Sequence, residues 1–287
     1  MRSTLIILLA ALALPAAAQV PLVVTDIPPV NALVAQVMGD LGTPTLLLER
    51  GADEHDLQLR PSQIQALTNA QLLVWVGPAL TPGLESVVQN APATLHSLPL
   101  LTDPTTHQRS YTDGEGINPH AWLDPANADV WLALIAANLS TLDPEHATRY
   151  HANATTARAH LATLDATLTA RFSAVQTRAF ITYHDAYGYF ASHYALNYAG
   201  SLARGDAGTP GAARITALQD TIASQHVQCA FPEAQHDPAL LIQFTEGGTV
   251  KLGQPLDPVG SLLDPGPLAY DQLLTNLANA IITCLAP

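Results

Sequence analysis

From residue 21 onward, short apolar runs rich in β-branched residues alternate with longer segments whose apolar positions recur at helical spacing. The short runs predict strands at 22–25, 45–48, 72–77, 94–98, 180–183, 197–202, 227–231 and 249–252. Helices are predicted between them at 31–38, 62–70, from about 81, and at 187–193, 212–224, 238–245 and 269–285. Because strands that alternate with helices are typical of parallel sheets built from βαβ units, the pattern predicts an α/β fold.

Two helical segments, 126–142 and 144–176, interrupt this alternation near the middle of the chain. In the second, Leu161, Leu164 and Leu168 mark one apolar face at helical spacing. About 30 residues at about 1.5 Å each give a helix of roughly 45 Å, which can run the length of a small two-lobed protein. We therefore predict two lobes, each with a parallel sheet flanked by helices, joined by one long rigid helix. The predicted units are a signal peptide at 1–18, an N-terminal lobe at 19–143, the linking helix at 144–176 and a C-terminal lobe at 177–287.

The start of the chain has the pattern of a secretory signal peptide. Met1 and Arg2 give a short positive start, an apolar stretch covers 5–14, and small residues at 15–18 predict cleavage after Ala18. The apolar stretch is too short for a membrane span, and no cysteine lies near the cleavage point to carry a lipid anchor. The mature protein is therefore expected to be exported and soluble.

Composition limits the ligands that the protein can bind. The 287 residues include 11 Lys and Arg, 24 Asp and Glu and 11 His, which gives a formal net charge of −13. Nucleic-acid binding needs clustered Lys and Arg to neutralise phosphates, and this sequence has no such cluster. A cationic ligand remains compatible with the acidic balance.

The two cysteines, Cys229 and Cys284, fit an exported protein. An even number of cysteines in an oxidising compartment predicts one disulfide, and two buried free thiols are the alternative. A metal site built on cysteine is not expected, because the sequence has no second pair at close spacing.

Three histidines and one aspartate lie beside the ends of predicted elements. His55 follows the second strand, His120 precedes a helix, His184 ends the first strand of the second lobe, and Asp257 follows the last strand of that lobe. Ligands of parallel α/β sheets bind outside the carboxyl ends of the strands, where the loops gather. Three imidazoles and one carboxylate form a complete tetrahedral shell for Zn²⁺. For any one of these histidines taken alone, a solvated or helix-capping side chain is the simpler interpretation.

Five motifs, spread over the mature chain, carry a resemblance to a known family. They are Asn-Pro-His-Ala-Trp-Leu-Asp-Pro at 118–125, His-Asp-Ala-Tyr-Gly-Tyr-Phe-Ala at 184–191, Cys-Ala-Phe-Pro-Glu at 229–233, Leu-Asp-Pro at 256–258 and the C-terminal Cys284. With these motifs the chain resembles the periplasmic solute-binding proteins of zinc ABC transporters, the ZnuA-like group of the metal-binding cluster A-I family. The wider family also contains manganese and iron binders and streptococcal surface lipoproteins.

The resemblance implies a set of metal ligands. By this resemblance His55, His120 and His184 are ligands, and Asp257 corresponds to the fourth, a carboxylate. Zinc members of the family replace that carboxylate by water or by an acidic residue of the first loop, and Glu54 is that competitor here. Manganese members tend to have a carboxylate where this chain has His184, and a nitrogen-rich shell suits Zn²⁺. We therefore expect high-affinity capture of Zn²⁺ between the lobes, with a Mn²⁺ or Fe²⁺ binder of the same family as the alternative.

The resemblance also implies partners and a compartment. It implies a monomer in the periplasm that delivers its ion to an ABC permease in the inner membrane, with a periplasmic zinc chaperone as a further candidate partner. A secreted zinc hydrolase is the alternative from another class, because three histidines around an open metal position can activate water. The sequence has no His-Glu-x-x-His or Gly-x-Ser-x-Gly motif, and a fourth protein ligand leaves no water to activate. We therefore predict a binding protein rather than an enzyme.

Segment 102–118 is polar and contains proline and glycine, so it is predicted to be a mobile surface loop. Many zinc members of the family carry a long loop rich in histidine and acidic residues in this place. Here the segment contains only one histidine, His107, so a role in metal capture is not predicted.

The remaining histidines are expected to be mostly background. His146, His151 and His160 lie on the predicted long helix at spacings that do not share one face, so they are expected to be solvated. His226 and His236 flank the strand that contains Cys229, and the sequence gives only weak support for a second metal site there.

Asp124 and Asp185 closely follow two of the candidate ligands, His120 and His184. A metal-bound imidazole usually donates its other N–H to a carboxylate or carbonyl oxygen. Both aspartates are therefore expected either to orient an imidazole or to cap a helix. Trp122 is expected to pack in the wall of the cleft.

Overall fold

The computed structural model describes residues 20–287 except 113, 115, 204, 206, 207 and 209, so the predicted signal peptide lies outside the described residues. The first lobe consists of β1 (Val23–Thr25), α1 (Pro28–Met38), β2 (Thr45–Leu46), α2 (Pro61–Asn69), β3 (Leu72–Trp75), α3 (Pro82–Gln89) and β4 (His96–Pro99). Each of these helices has a proline in its first turn, where the missing N–H breaks no helical hydrogen bond. The strands form one parallel sheet in the order β2-β1-β3-β4.

Two long helices follow the first lobe. The helices are α4 (Pro125–Leu142) and α5 (Ala147–Phe172). A short antiparallel hairpin of β5 (Arg109–Ser110) and β6 (Ile117–Asn118) precedes them. α5 begins later than predicted because Pro144–His146 forms a 3₁₀ turn, in which the Asp143 side chain accepts from the His146 N–H. With 26 residues, α5 is about 39 Å long. No described helix, α5 included, is both long and apolar enough to cross a membrane.

The second lobe repeats the architecture of the first. It consists of β7 (Phe180–Thr182), α6 (Gly188–His193), β8 (Tyr198–Ser201), α7 (Ala212–Ser224), β9 (Cys229–Phe231), α8 (Ala239–Gln243), β10 (Lys251–Leu252) and α9 (Ala269–Leu285). Its strands form a parallel sheet in the order β10-β9-β7-β8. In each lobe the first strand lies between the second and the third, and the fourth lies outside the third. The predicted fold of two parallel sheets flanked by helices, with one long helix, is confirmed.

One continuous apolar core connects the lobes. α5 packs against α1 of the first lobe and α9 of the second, with Leu161, Leu168 and Phe172 buried on this face. Val30 of α1 and Leu274 of α9 belong to the same buried cluster as these residues. Since protein interiors are close-packed, this shared core fixes the two sheets relative to each other.

In its described part, segment 102–118, which was predicted to be a mobile loop, contains the β5–β6 hairpin and hydrogen bonds to the second lobe. The Arg109 N–H donates to the Tyr189 hydroxyl at 2.7 Å, and this hydroxyl donates to the Asn118 carbonyl at 2.9 Å. The Thr112 N–H donates to the Asp185 carboxylate at 2.7 Å. These hydrogen bonds tie the β5–β6 hairpin to the second lobe. Local composition did not reveal them because the partners lie more than 70 residues further along the chain.

Cys229 of β9 and Cys284 of α9 form the predicted disulfide, with their Cα atoms 6.2 Å apart. The bond fastens the last helix to the second sheet. Because 55 residues separate the two cysteines, the bond closes a long loop and removes much conformational freedom from the unfolded chain.

Replacing both cysteines by alanine is expected to lower the free energy of unfolding by about 4 kcal/mol, the loop-entropy value for a closed loop of this length. Alanine is chosen because Cys229 is fully buried, where a serine hydroxyl would need a hydrogen-bond partner. Urea unfolding of the metal-free protein measures the change, and the reduced wild-type protein is the control. A loss below about 1 kcal/mol would contradict this account.

Candidate metal centre

The loop after β2 carries Glu54 and His55 to the edge of the first sheet. Gly51 has a φ of +75°, a conformation that glycine adopts without steric cost, and its N–H donates to the Ser261 carbonyl of the second lobe at 3.1 Å. The Asp53 carboxylate accepts the His55 N–H at 2.8 Å, which closes a tight turn around Glu54. The loop is therefore held both by its own turn and by the opposite lobe.

His120 lies just after β6, where the chain enters a 3₁₀ turn before α4. The Asn118 side-chain oxygen accepts the His120 backbone N–H at 3.0 Å and lies 2.7 Å from Nδ1 of the same residue. An amide oxygen only accepts hydrogen bonds, so Nδ1 holds the proton and Nε2 presents its lone pair. The Asn118 amide in turn donates to the Asp185 carbonyl of the second lobe at 2.6 Å.

His184 follows β7 and is oriented by Glu233, which follows the neighbouring strand β9. The His184 Nδ1 lies 2.6 Å from the Glu233 carboxylate, and the His184 backbone N–H donates to the same carboxylate at 3.3 Å. This pairing leaves His184 Nε2 directed away from Glu233, as in metal sites where a carboxylate fixes the ligating imidazole. Glu233 belongs to the motif at 229–233 but was not predicted to contact His184, and the adjacency of the first and third strands of the lobe places it there.

The three predicted histidines converge between the lobes. Nε2 of His120 lies 3.2 Å from Nε2 of His55 and 3.1 Å from Nε2 of His184. Zinc–nitrogen bonds of about 2.0–2.1 Å in a tetrahedral site place two ligand nitrogens about 3.3 Å apart. The imidazoles therefore present their Nε2 atoms at nearly the spacing that one zinc ion requires.

Glu54 completes a group of four. Its Oε1 atom lies 3.9 Å from Nε2 of His120, and the ligand atoms of Glu54, His55, His120 and His184 all lie within 4.8 Å of one another. Oε1 is buried and has no hydrogen-bond partner among the described residues. Because a buried polar atom without a partner is costly, this oxygen is a strong candidate for a metal ligand.

Asp257 is not part of this group. Its carboxylate accepts hydrogen bonds from the Gln235 side chain at 2.8 Å, from the Ser261 hydroxyl at 3.1 Å and from two backbone N–H groups, those of Val259 and Leu262, each at 3.2 Å. Two of these donors bond to each oxygen of the Asp257 carboxylate, so both oxygens already have partners.

Burial and neighbouring charges change the protonation of the site. Burial raises the pKa of Glu54 to about 8. For His184, burial opposes the charged form, but the Glu233 carboxylate outweighs it and raises the pKa to about 9. Burial, together with the neighbouring His184 and His55, holds the pKa of His120 well below its usual value. At neutral pH the metal-free site therefore holds protons on Glu54 and His184, while His120 is neutral.

Asp124 and Asp185, which were expected to orient an imidazole or to cap a helix, are not part of the group around the three Nε2 atoms. Asp124 caps α4, accepting the Ala126 N–H at 2.9 Å, and it also contacts His193 at 2.9 Å. Asp185 holds the β5–β6 hairpin through Thr112. Asn118 and Glu233 instead orient the imidazoles of His120 and His184.

Trp122 and the histidines on or near α5 lie partly where they were expected. Trp122 is buried beside His120, with ring centroids 5.1 Å apart, and its indole N–H donates to the Pro258 carbonyl of the second lobe. His151 is exposed on α5, whereas His146 contacts Asp143 at 2.8 Å. His160 contacts Asp271 at 2.6 Å and remains largely exposed.

Comparison with known proteins gives the family. The family model "ZnuA: Zinc-uptake complex component A periplasmic" matches residues 23–284. The high-affinity zinc uptake system protein ZnuA of Paracoccus denitrificans is 44% identical, with 99% of this chain and 98% of that protein covered. The protein of the same name from Brucella suis is 32% identical over 92% of this chain and 91% of its own length.

The fold has solved relatives as well. The periplasmic zinc binding protein TroA from Treponema pallidum superposes with a TM-score of 0.83 at 22% identity, covering 93% of this chain and 99% of that one. A structure named as ZnuA gives a TM-score of 0.80 at 23% identity, covering 93% and 100%. These likenesses establish the fold, and the family match extends over nearly all of the described chain. The chain belongs to the ZnuA family of periplasmic zinc-uptake components.

Proposed function

We propose that this protein captures Zn²⁺ in the periplasm and delivers it to an ABC permease in the inner membrane. Membership of the ZnuA family and the names of its relatives support transport of zinc. The observation that carries the proposal is the convergence of three imidazole Nε2 atoms at 3.1 and 3.2 Å around a buried point between the lobes.

We propose His55, His120, His184 and Glu54 as the ligands. The sequence favoured Asp257 as the fourth ligand, with Glu54 as its competitor, and the hydrogen bonds support the competitor. Asp257 already accepts four hydrogen bonds, whereas Glu54 Oε1 is buried beside His120 without a partner among the described residues. Moving Asp257 into the site would break those bonds, whereas Glu54 needs only a small shift toward the ion.

The donor set supports zinc over manganese. Three nitrogens and one oxygen suit Zn²⁺, while Mn²⁺ prefers more oxygen ligands. At a shared site of this kind, affinity also follows an order in which Zn²⁺ is bound more strongly than Mn²⁺. A Mn²⁺ or Fe²⁺ binder of the same family would be expected to have more oxygen around the ion.

We propose that the protein acts by binding rather than by catalysis. A zinc hydrolase keeps one metal position open for the water that it activates. Four protein ligands here would close the shell of a tetrahedral zinc ion. The buried position of Glu54, His120 and His184 also leaves little room for a peptide or phosphate ester beside the metal.

We further propose that the protein is exported by a signal peptide cleaved after Ala18 and acts as a monomer. One chain supplies all four proposed ligands, so the site does not depend on a second copy. A periplasmic zinc chaperone remains a candidate donor of the ion. We also propose that the N-terminal lobe ends at residue 143, that residues 144–176 link the lobes, and that the C-terminal lobe begins at residue 177.

Glu54→Gln is expected to weaken zinc binding by about 10- to 100-fold, because the amide cannot supply a charged ligand oxygen. Asp257→Asn is expected to change the affinity by no more than about threefold, since it perturbs only a neighbouring loop. Titration against a chelator of known zinc affinity measures both variants. The opposite order of effects would identify Asp257 as the fourth ligand.

His120→Ala is expected to weaken zinc binding by about 100-fold or more, because it removes the central of the three imidazoles. His146→Ala is the matched control, since His146 lies in the turn before α5 and pairs with Asp143. The same chelator competition measures both, and the control should bind zinc as the wild type does. Equal affinities for the two variants would overturn the proposed site, whereas failure of the wild type to bind zinc would overturn the proposed function.

Zinc binding is expected to release protons and to weaken as the pH falls. With pKa values of about 8 for Glu54 and about 9 for His184, both groups are protonated at neutral pH in the metal-free protein. Zinc binds only deprotonated ligand atoms, so protons compete with it, and affinity rises with pH through this range. Calorimetry in buffers of different ionisation enthalpy should give about one to two protons released per zinc near pH 7. A pH-independent affinity would contradict the assignment.

A further inference from the structure

A second group of metal-ligating side chains adjoins the buried site. Ligand atoms of His184, Glu233 and His236 lie within 4.8 Å of one another. His236 lies in the loop after β9, in the second lobe, and its ring centroid is 5.9 Å from that of His184. Asp53 of the first lobe, beside Glu54, faces the same histidine.

The imidazole of His236 has a defined orientation. It stacks on Tyr183, with ring centroids 4.6 Å apart and planes inclined by 11°. This stacking aims Nε2 at two carboxylates, 3.7 Å from Asp53 Oδ2 and 3.6 Å from Glu233 Oε2. Both distances are too long for a direct hydrogen bond. They are a few tenths of an ångström longer than the spacing of about 3.3–3.5 Å between a nitrogen and an oxygen ligand of one tetrahedral zinc ion.

His236 and Asp53 are more accessible than two of the proposed buried ligands, whereas Glu233 is itself buried. The side chains of His236 and Asp53 are 16% and 29% exposed, whereas those of His120 and His184 are 0% and 1% exposed. Asp53 and His236 come from opposite lobes, so they flank an approach to the buried ligands. The negative charge of Asp53 and Glu233 favours a divalent cation at this position.

We propose that His236 and Asp53, with Glu233, form an outer zinc site through which the ion passes on its way to the buried ligands. The inference rests on the proposed function, because it takes the buried site as the destination of the ion. The two positions are adjacent, since Glu233 contacts both His184 and His236. An ion held first at the outer site exchanges part of its water shell for protein ligands before it becomes fully buried.

The outer site can be measured separately from the inner one. In a protein with His55→Ala and His120→Ala, the inner site is disabled while His184, Glu233, His236 and Asp53 remain. Zinc titration by calorimetry is expected to show one weak site in this variant. Adding His236→Phe, which keeps the stacking on Tyr183, is expected to weaken that binding by about tenfold or more.

Controls distinguish the outer site from other causes. His151→Phe in the same background removes an exposed histidine from α5 and should leave the weak site unchanged. Asp53→Asn should weaken zinc binding at the outer site as His236→Phe does. If His236→Phe fails to fold, Asp53→Asn still tests the outer site. Binding that is absent in the disabled protein, or that is equal with and without His236, would overturn the outer site.

Passage through the outer site is tested in the protein with an intact inner site. There, His236→Phe is expected to slow zinc association by about tenfold, measured by stopped flow, because the first ligand exchange is lost. An association rate equal to that of the wild type would overturn the passage. Tight binding of one zinc by the wild type tests the proposed function independently, so failure of the outer site and failure of zinc capture give different results.

Discussion

Three imidazole nitrogens face one another at 3.1 and 3.2 Å in a buried space that neither lobe encloses alone. Without a metal, two nitrogen lone pairs directed at each other would repel, and the raised pKa of His184 supplies a proton on its Nε2 that lies toward His120 Nε2. The rest of the structure holds the three imidazoles in this arrangement. His120 and His184 are each fixed through Nδ1, by Asn118 and by Glu233, so their rings cannot rotate away without breaking a buried hydrogen bond.

The lobes must themselves be fixed for ligands from both to meet. The apolar core along α5 provides the coarse alignment, because it includes residues of α1 and α9. Hydrogen bonds between the lobes then refine it at the site. Gly51 bonds to Ser261, Asn118 bonds to the Asp185 backbone, and Trp122 bonds to Pro258. Each of these bonds lies within a few residues of a proposed ligand. The contacts that align the two lobes therefore also align the proposed ligands.

Much of this could be predicted from sequence because it is encoded locally. Among the described residues, the apolar runs marked the eight strands of the two parallel sheets to within a few residues, and α7 and α9 have the predicted bounds. The three histidines were predicted from their places beside the ends of elements, where the loops of parallel sheets gather, and from the resemblance to the ZnuA-like group. The β5–β6 hairpin was missed since its strands are two residues each and depend on Tyr189 and Asp185.

The choice between Glu54 and Asp257 shows a second limit. Both are acidic residues in loops that follow sheet strands, so the pattern of residues does not separate them. The two carboxylates differ in the hydrogen-bond donors around them. Those of Asp257 come from Gln235, Ser261 and the turn after Asp257. Glu233 is a similar case, because its contact with His184 follows from the order of β7 and β9 in the sheet.

The same contacts that assemble the site also restrict its opening. An ion bound by the proposed ligands Glu54, His55, His120 and His184 would be enclosed by loops that form hydrogen bonds across the lobes at Gly51 and Asn118. It would leave either after some of these bonds break or through the proposed outer site at His236 and Asp53. Because the shared core along α5 resists separation of whole lobes, the smaller movement is a shift of the loops that carry the ligands. In the proposed function, a membrane partner would therefore release the ion by acting on these loops rather than on the core beneath them.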